Sequence, residues 1–459
     1  MKKLQRNCIT LFLLSIGFLS KLPAETIEAA LKPGEPWIAR PTRTLADLPT
    51  MKADDEFDLY GGILSKPSKA TGFFRTEQLD GRWWFMTPEG HAFIKKGVVS
   101  VRQTRSEAGD AALKQKFGDV ATWAEKTSAM LHDHGFNGYG SWAEVEVLSA
   151  VKPQRMATTR IWSFMSSFGG KIKVTFQQPG HTGYKNDAIP VFHPKWEAHC
   201  DEYAKKNIAP CKDDPWLLGH FTDNELPFTR KALKNFIALP KESAGGVFAR
   251  DWLKQRHDGD ITEQDESDFL ALVVERYFST VAKAIRKYDP NHLILGSRFH
   301  GEKTGDTLTS PEIFKACGPH VDVISVNWYR EWTPDPAKIA LWERESHKPV
   351  LITEWYAKAL DSGMSNTGGA GWLVRTQAER GKFYQHFALG LLESKVCIGW
   401  HWFKYSDNDP NDKAADPSNR DSNKGIVNAL YEPYMPLLDA MKPLNERVYG
   451  LIKHFDSKP

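Results

Sequence analysis

Cysteine is scarce in this chain, 5 of 459 residues, and one of the five, Cys8, lies in an N-terminal apolar run. The others, Cys200, Cys211, Cys317 and Cys397, show no CxxC spacing and no metal signature. In an oxidising compartment Cys200 and Cys211 could close a small loop, although four cysteines allow three pairings. His132, His134, His193 and His199 do not form HExxH, so each reads as a surface or core histidine and no metal or other cofactor is expected. Neither sign of charge dominates. Sixty basic against 57 acidic residues leave +3, which argues against nucleic acid or an anionic membrane as partner. After the N-terminal run no stretch is long and apolar enough to insert in a membrane. No repeat or low-complexity segment occurs. No GxGxxG follows the first apolar strand, which weakens a doubly wound dinucleotide-binding reading.

What is abundant is tryptophan. Many of the 16 stand beside Gly, Asn or Asp near apparent strand ends, where flat aromatic faces suit the weakly apolar C–H faces of sugars. The N-terminus, MKKLQRNCITLFLLSIGFLSKLPAETI, has the basic start, short apolar run and small residue of a secretory signal peptide, cut near Ala24. Residues 1–24 are therefore expected to be a leader on an exported protein, periplasmic or extracellular. Residues 25–75, rich in Pro, Lys and Asp, read as an extended arm. In TGFFRTEQLDGRWWFMTPEGHAF, Asp80-Gly81 and Glu89-Gly90 mark turns of a small β-hairpin meander.

Eight short apolar runs follow, at 92–101, 135–142, 158–165, 217–225, 292–299, 321–329, 349–357 and 397–405. Amphipathic segments separate them. Phe269, Leu272, Val273, Tyr277, Val281, Ala284, Ile285 and Tyr288 recur at helical spacing until Asp289-Pro290. Thr376 with Glu379 reads as a capping box, and Thr122 with Glu125 as another. Apolar strands alternating with amphipathic helices imply an α/β fold with a parallel sheet buried on both faces. Eight such units predict a (β/α)8 barrel, the catalytic unit spanning 76–452 with its hairpin.

Catalytic groups of such a barrel sit at the C-terminal strand ends. There the chain offers Asn137 and Trp142, then Asp223, Asn224 and Glu225, then Arg298 and His300, then Asn327, Trp328 and Tyr329. The last two runs add Glu354 with Trp355 and Tyr356, then Trp400, His401, Trp402, Lys404 and Tyr405. Glu225 and Glu354 each follow a β-rich run directly, on the fourth and seventh strands, and so face each other across the mouth. Paired carboxylates of this kind suit glycosidic cleavage, one protonating the leaving oxygen and the other meeting the anomeric carbon. Asn224 is placed to bond a sugar 2-hydroxyl, and Arg298 and Tyr329 to keep Glu354 ionised. Trp142, Trp328 and His300 complete the expected substrate-binding set. Asp223 is expected to hold its loop by a structural hydrogen bond. The Asp/Asn-rich segment 405–425 lacks EF-hand spacing and reads as a loop shaping the cleft. GMSNTGGAGW (363–372) reads as a mobile lid, with Trp372 a possible sugar contact.

A Glu preceded by Asn after strand four, a second Glu after strand seven and a Trp on strand eight resemble the retaining (β/α)8 glycoside hydrolases of clan A. More narrowly, DGRWWFMTPEGHAF, DPWLLGHFTDNELPF, ITEWYAKA and GWHWFKYSDND followed by SNKGIVN resemble the family 50 β-agarases and their relatives. The resemblance implies Glu225 as general acid/base, Glu354 as nucleophile, Asn224 as the 2-hydroxyl contact, Trp402 as the platform beneath the sugar and Tyr329 as support for the nucleophile. It implies a retaining β-glycoside hydrolase acting on a β-linked polysaccharide or its oligosaccharides, of agarose or porphyran type. Three other readings stand beside it: a clan A glycosidase for a different β-glycan, a carbohydrate-binding barrel without catalysis, and a metal-dependent (β/α)8 hydrolase using His300 and His401.

Overall fold

The computed structural model describes residues 25–51, 55–153, 155–178, 180–301, 306–413 and 415–457; the leader expected over 1–24 lies outside them. Strands β1 (Glu25–Ala29) and β2 (Ile38–Thr42) pair antiparallel in the segment read as an arm. Strand β3 (Ile63–Pro67) joins a four-stranded antiparallel sheet with β4 (Arg75–Leu79), β5 (Arg82–Met86) and β6 (His91–Phe93), in the order β3-β6-β5-β4. The β4–β5 turn is Asp80-Gly81. Both residues hold positive φ, 53° and 75°, as a two-residue type I′ hairpin requires.

Each of the eight apolar runs contains a strand: β7 (Lys95–Val98), β8 (Gly138–Tyr139), β9 (Thr158–Ile161), β12 (Leu217–Phe221), β13 (Leu293–Ile294), β14 (Ile324–Asn327), β15 (Val350–Glu354) and β18 (Cys397–Trp402). The remaining strands are β10 (Thr175–Gln178) and β11 (His181–Tyr184), a hairpin between β9 and β12, and β16 (Ala357–Ala359) and β17 (Trp372–Val374), which pair after β15. The strands of the eight runs form two parallel sheets, β14-β15-β18-β7-β8 and β13-β12-β9. Single parallel bridges link them at both ends, Gly138 to Ala157 and Phe299 to Val326. The class is α/β.

Side chains alternate along these strands, and the alternation separates two cores. Leu218, Leu293, Leu295, Val323, Leu351 and Ile398 fall in one cluster; Ile294, Ile324, Val350, Ile352 and Cys397 fall in the other, with the helices. Phe74, Phe85 and Phe93 belong to the first cluster, so aromatic residues in and beside the antiparallel sheet pack against the inner side chains of the parallel strands. The polar ends lie at the strands' other termini.

The helix Glu263–Tyr288 starts on a Thr262–Asp265 capping box and buries Phe269, Val273, Tyr277, Val281 and Ile285. The helix Gln377–Glu393 has the expected Thr376–Glu379 box. The box expected at Thr122 does not form. That helix begins at Val120, one turn earlier, because the Asp119 side chain accepts from the Thr122 N–H. Cys200, Cys211, Cys317 and Cys397 are all free thiols, so the Cys200–Cys211 pairing is not made; Cys200 is buried in the helix Trp196–Asn207.

After β18, the buried Asp407 gathers the Asp/Asn-rich segment. It accepts from Lys424 N (2.7 Å), Gly425 N (2.7 Å), Asn423 Nδ2 (3.0 Å) and Tyr434 Oη (2.7 Å). A Cβ on Gly425 would stand 2.4 Å from Asp407 N, so only glycine allows this approach. Asp407→Ala would strand these donors away from water. It is expected to cost about 2–4 kcal/mol and lower the calorimetric unfolding midpoint by several degrees.

Candidate active site

β12 ends at Phe221, and Thr222, Asp223, Asn224 and Glu225 follow where the strand pairing stops. Glu225 holds φ +52°, a left-handed backbone that bulky residues seldom adopt, with its N–H donating to Ser297 O at 3.1 Å. Arg298 (φ +57°) and Trp142 (φ +59°) share this conformation. Three strained non-glycine residues at three strand ends mark a place where surrounding structure overrides local preference.

Glu354 ends β15 and lies opposite Asn327 in the β14–β15 register. It is almost wholly buried and takes a bond at each oxygen: Arg298 Nη2 donates to Oε1 and Tyr329 Oη to Oε2. Arg298, itself fully buried, also donates from Nη1 to Asn224 Oδ1 (2.7 Å) and from Nη2 to Thr353 O (3.3 Å). Its guanidinium lies 4.4 Å from the Trp142 ring centre. Burial pushes the Glu354 carboxyl up from the usual range; the Arg298 charge opposes this, Glu225 adds to it, and the Tyr329 and Arg298 hydrogen bonds oppose it. Tyr329 is raised well above the usual phenol range, by burial first and then by the Glu354 charge.

Glu225 is held differently. Asn327 Nδ2 donates to its Oε1 at 2.7 Å, and Asn327 Oδ1 accepts from Thr353 Oγ1 at 2.8 Å. Two imidazoles flank it: His181 Nδ1 lies 3.4 Å from Oε2, and His300 Nδ1 3.9 Å from Oε1. One carboxylate thus sits in a cationic and phenolic clamp, the other among an amide and imidazoles. This asymmetry allows two acids to serve different proton roles. A cavity of about 180 Å³ opens beside His300, Asn327 and Tyr329.

The structure therefore brings Glu225, Glu354, Asn224, Arg298, Tyr329, His300 and Trp142 together. Trp328 and Trp402 do not join them. Asn327 and Tyr329 point to the carboxylates, so Trp328 between them points outward and packs on Trp342 at 4.8 Å and Phe387 at 5.7 Å. Trp402, fully buried, packs on Trp355 (5.3 Å) and Tyr384 (5.8 Å) and donates from Nε1 to Lys424 O (3.0 Å), leaving no face for a sugar. The glycine-rich segment is tied down rather than lid-like. Thr367 N and Gly368 N donate to Asp421 at 2.8 and 3.0 Å, and Trp372 is buried beneath the Arg40 guanidinium, 4.4 Å away.

Asn327, Thr353 and His181 are additional members of the site. Asn327 is visible in sequence as the polar residue ending an apolar run; His181 carries no such signal, since β10–β11 lies outside the eight units. Histidine–acid groupings close enough to hold a metal occur among the described residues at His220, Asp289 and His292 and at Asp58, Glu89 and His91. In the first, Trp162 Nε1 already donates to His220 Nδ1 (3.0 Å) and both rings bond Asp289 Oδ2. His401, expected as a ligand in the metal-dependent reading, is buried against Gly97 and Gly140. Burial, with the Lys95 and Arg298 charges, holds it well below the usual histidine range.

No protein-family model matches the chain. Beta-agarase B of Vibrio sp. (strain JT0107) is 26% identical over 502 aligned positions, covering 86% of this chain and 50% of the relative. Beta-agarase A of the same strain is 25% identical, covering 86% and 48%. The chain spans about half the length of the curated relatives it matches. The crystal structure of BpGH50 matches with a TM-score of 0.82 and 28% identity, over 94% of this chain and 96% of that one. The crystal structure of the agarase AgWH50C matches in fold, with a TM-score of 0.71 at 22% identity over 86% and 66%. In sequence and fold the chain is similar to glycoside hydrolase family 50 proteins.

Asp223 holds the site wall. It accepts from Tyr277 Oη (2.6 Å) and from Met165 N (2.8 Å) and Ser166 N (3.3 Å), in the first turn of the helix Phe164–Lys171. Burial pushes its carboxyl up from 3.8 to about 7 against these three donors. A carboxyl raised on folding binds its proton more tightly in the native state, so its contribution to stability falls as pH rises from 3.8 to about 7. The slope approaches about 1.4 kcal/mol per pH unit within that window. Asp223→Asn should therefore gain thermal stability relative to wild type between pH 4 and 7, measured as the difference in Tm across a pH series.

Proposed function

We propose that the protein is a retaining β-glycoside hydrolase acting on a galactan of agarose or porphyran type. The clamp on Glu354 carries the proposal: one buried carboxylate with each oxygen bonded by a donor, facing a second carboxylate among groups that can share a proton. The likeness to the Vibrio β-agarases supports the substrate class, and the match to BpGH50 supports the reaction class. Pairing that runs from β7 through β8, β9, β12, β13, β14, β15 and β18 back to β7 supports a (β/α)8 barrel of the clan A kind. In this reading residues 76–452 form the catalytic unit, 25–75 pack on it and 1–24 are the leader that exports it.

The chemistry follows from the two environments. Glu225 gives its proton to the glycosidic oxygen as that bond breaks. Glu354 attacks the anomeric carbon from the opposite face and forms a covalent glycosyl ester. Water then enters, gives a proton to Glu225 and attacks the same carbon, releasing Glu354 and restoring the β configuration. Arg298 and Tyr329 keep Glu354 ionised and aimed. Asn224 Oδ1 accepts from Arg298 Nη1, and its Nδ2 donates to the sugar 2-hydroxyl.

Three outcomes test this on agarose oligosaccharides. Glu354→Ala should lower kcat at least about 10³-fold, and azide with an activated β-glycoside should yield an α-glycosyl azide. Glu225→Ala should lose about 10²–10⁴-fold, with azide yielding the β-azide. Near wild-type rates in either variant, or an inverted product by proton NMR, refute the assignment. Tyr329→Phe removes a bond that favours the ionised nucleophile. It should lower kcat about 10–100-fold and move the acidic limb of the kcat/KM profile to higher pH.

A further inference from the structure

The hairpin β10–β11 has no role in the scheme above, yet it reaches the acid/base. Its register pairs Thr175 with Tyr184, Phe176 with Gly183, Gln177 with Thr182 and Gln178 with His181. Paired residues share a face and successive residues alternate, so Phe176, Gln178, His181 and Gly183 look one way. The opposite face is seated on the body of the protein at the base of the hairpin. Tyr184 is buried there, and Thr175 fills the space left by Gly169 of the helix Phe164–Lys171. The first face is the one that meets Glu225, through His181 at 3.4 Å.

Phe176 lies on that face and is 53% exposed. Its ring rests where a Gly183 side chain would be: a Cβ there would stand 2.5 Å from Phe176 Cε2 and Cζ. Glycine at this position lets the ring lie against the opposite strand with its other side open. Two residues along a strand span roughly 7 Å, about one pyranose unit beyond the level of His181. The hairpin tip is braced, since Gly180 N donates to Asp416 Oδ1 at 3.3 Å, which ties it to the Asp/Asn-rich segment that Asp407 organises. A large aromatic ring held open on a braced support, two residues along from the histidine that meets Glu225, is preorganised for stacking.

We propose that this face is a sugar subsite on the leaving-group side, with Phe176 as the stacking platform and Gln178 and His181 as hydroxyl contacts. The side follows from chemistry: Glu225 protonates the departing oxygen, so the groups arrayed beyond it face the departing sugar. The ligand class is the β-linked sugar unit immediately past the cleaved bond. The inference rests on the reading of Glu225 as acid/base.

The test compares wild type, Phe176→Ala and Phe176→Tyr on agarose oligosaccharides and on the glycosyl fluoride of the same non-reducing unit, whose leaving group carries no sugar. Phe176→Ala should lose about tenfold in kcat/KM on the oligosaccharides, chiefly through KM, and at least about fivefold less on the fluoride. Phe176→Tyr should restore the oligosaccharide value to within about twofold. Equal losses on both substrates, or no loss on the oligosaccharides, overturn the subsite while wild-type turnover leaves the hydrolase reading standing. Wild-type inactivity on both substrates removes the hydrolase reading and the subsite together. A circular-dichroism melt of each variant separates misfolding from lost binding.

Discussion

The buried ion pair of Arg298 and Glu354 is the interaction on which the arrangement of the site depends. Each ion gives up hydration worth several kcal/mol, so the pair depends on other groups that offset much of that loss. Tyr329 takes the second carboxylate oxygen, Asn224 takes the second guanidinium nitrogen, and Trp142 covers the guanidinium face. Those partners come from different strand ends, so the pair can exist only if all of those strands are stacked in register. The left-handed backbones of Trp142, Glu225 and Arg298 are part of the same demand. Local preference opposes them, and the network outweighs it.

A polar cluster of this kind needs one wet end and one dry end. The parallel strands provide both. Their inner side chains meet Phe74, Phe85 and Phe93, in and beside the antiparallel sheet, which seal the end where the strands begin. Charge therefore collects at the other end, where loops can supply donors. Asp223 extends the network outward by capping the helix that follows β9 and bonding Tyr277, while Asp407 does the same for the segment after β18. The two walls meet at the Gly180–Asp416 bond. The carboxylates thus lie between supports anchored on two buried aspartates.

Much of this was legible in the sequence, for identifiable reasons. Strands buried on both faces read as unbroken apolar runs, and every one of the eight runs holds a strand. The Thr376 cap and the Asp80-Gly81 turn were visible because side-chain capping and positive φ demand particular residues. The Asp119 cap is not legible in the sequence, because a lone aspartate has no reciprocal partner to complete the box signal. Trp328 and Trp402 lie away from the carboxylates because of strand parity. On a strand successive side chains take opposite faces, so a tryptophan beside Asn327 or His401 packs in the core that holds the helices. The hairpin carrying His181 left no trace, since TFQQ and HTGY have neither an apolar run nor clear alternation.

By itself the sequence determined the α/β pattern, the eight strands and the two glutamates that end the fourth and seventh, because burial and strand length are written in the order of residues along the chain. It also determined Arg298, Asn224 and Tyr329 as candidates, since each ends an apolar run. Only tertiary structure decided which carboxylate is clamped and which is left among imidazoles. That difference arises from Asn327, Thr353 and His181, which reach the glutamates across space from separate elements. A carboxylate's role depends on the donors and charges within a few ångströms of it, and no spacing along the chain specifies those.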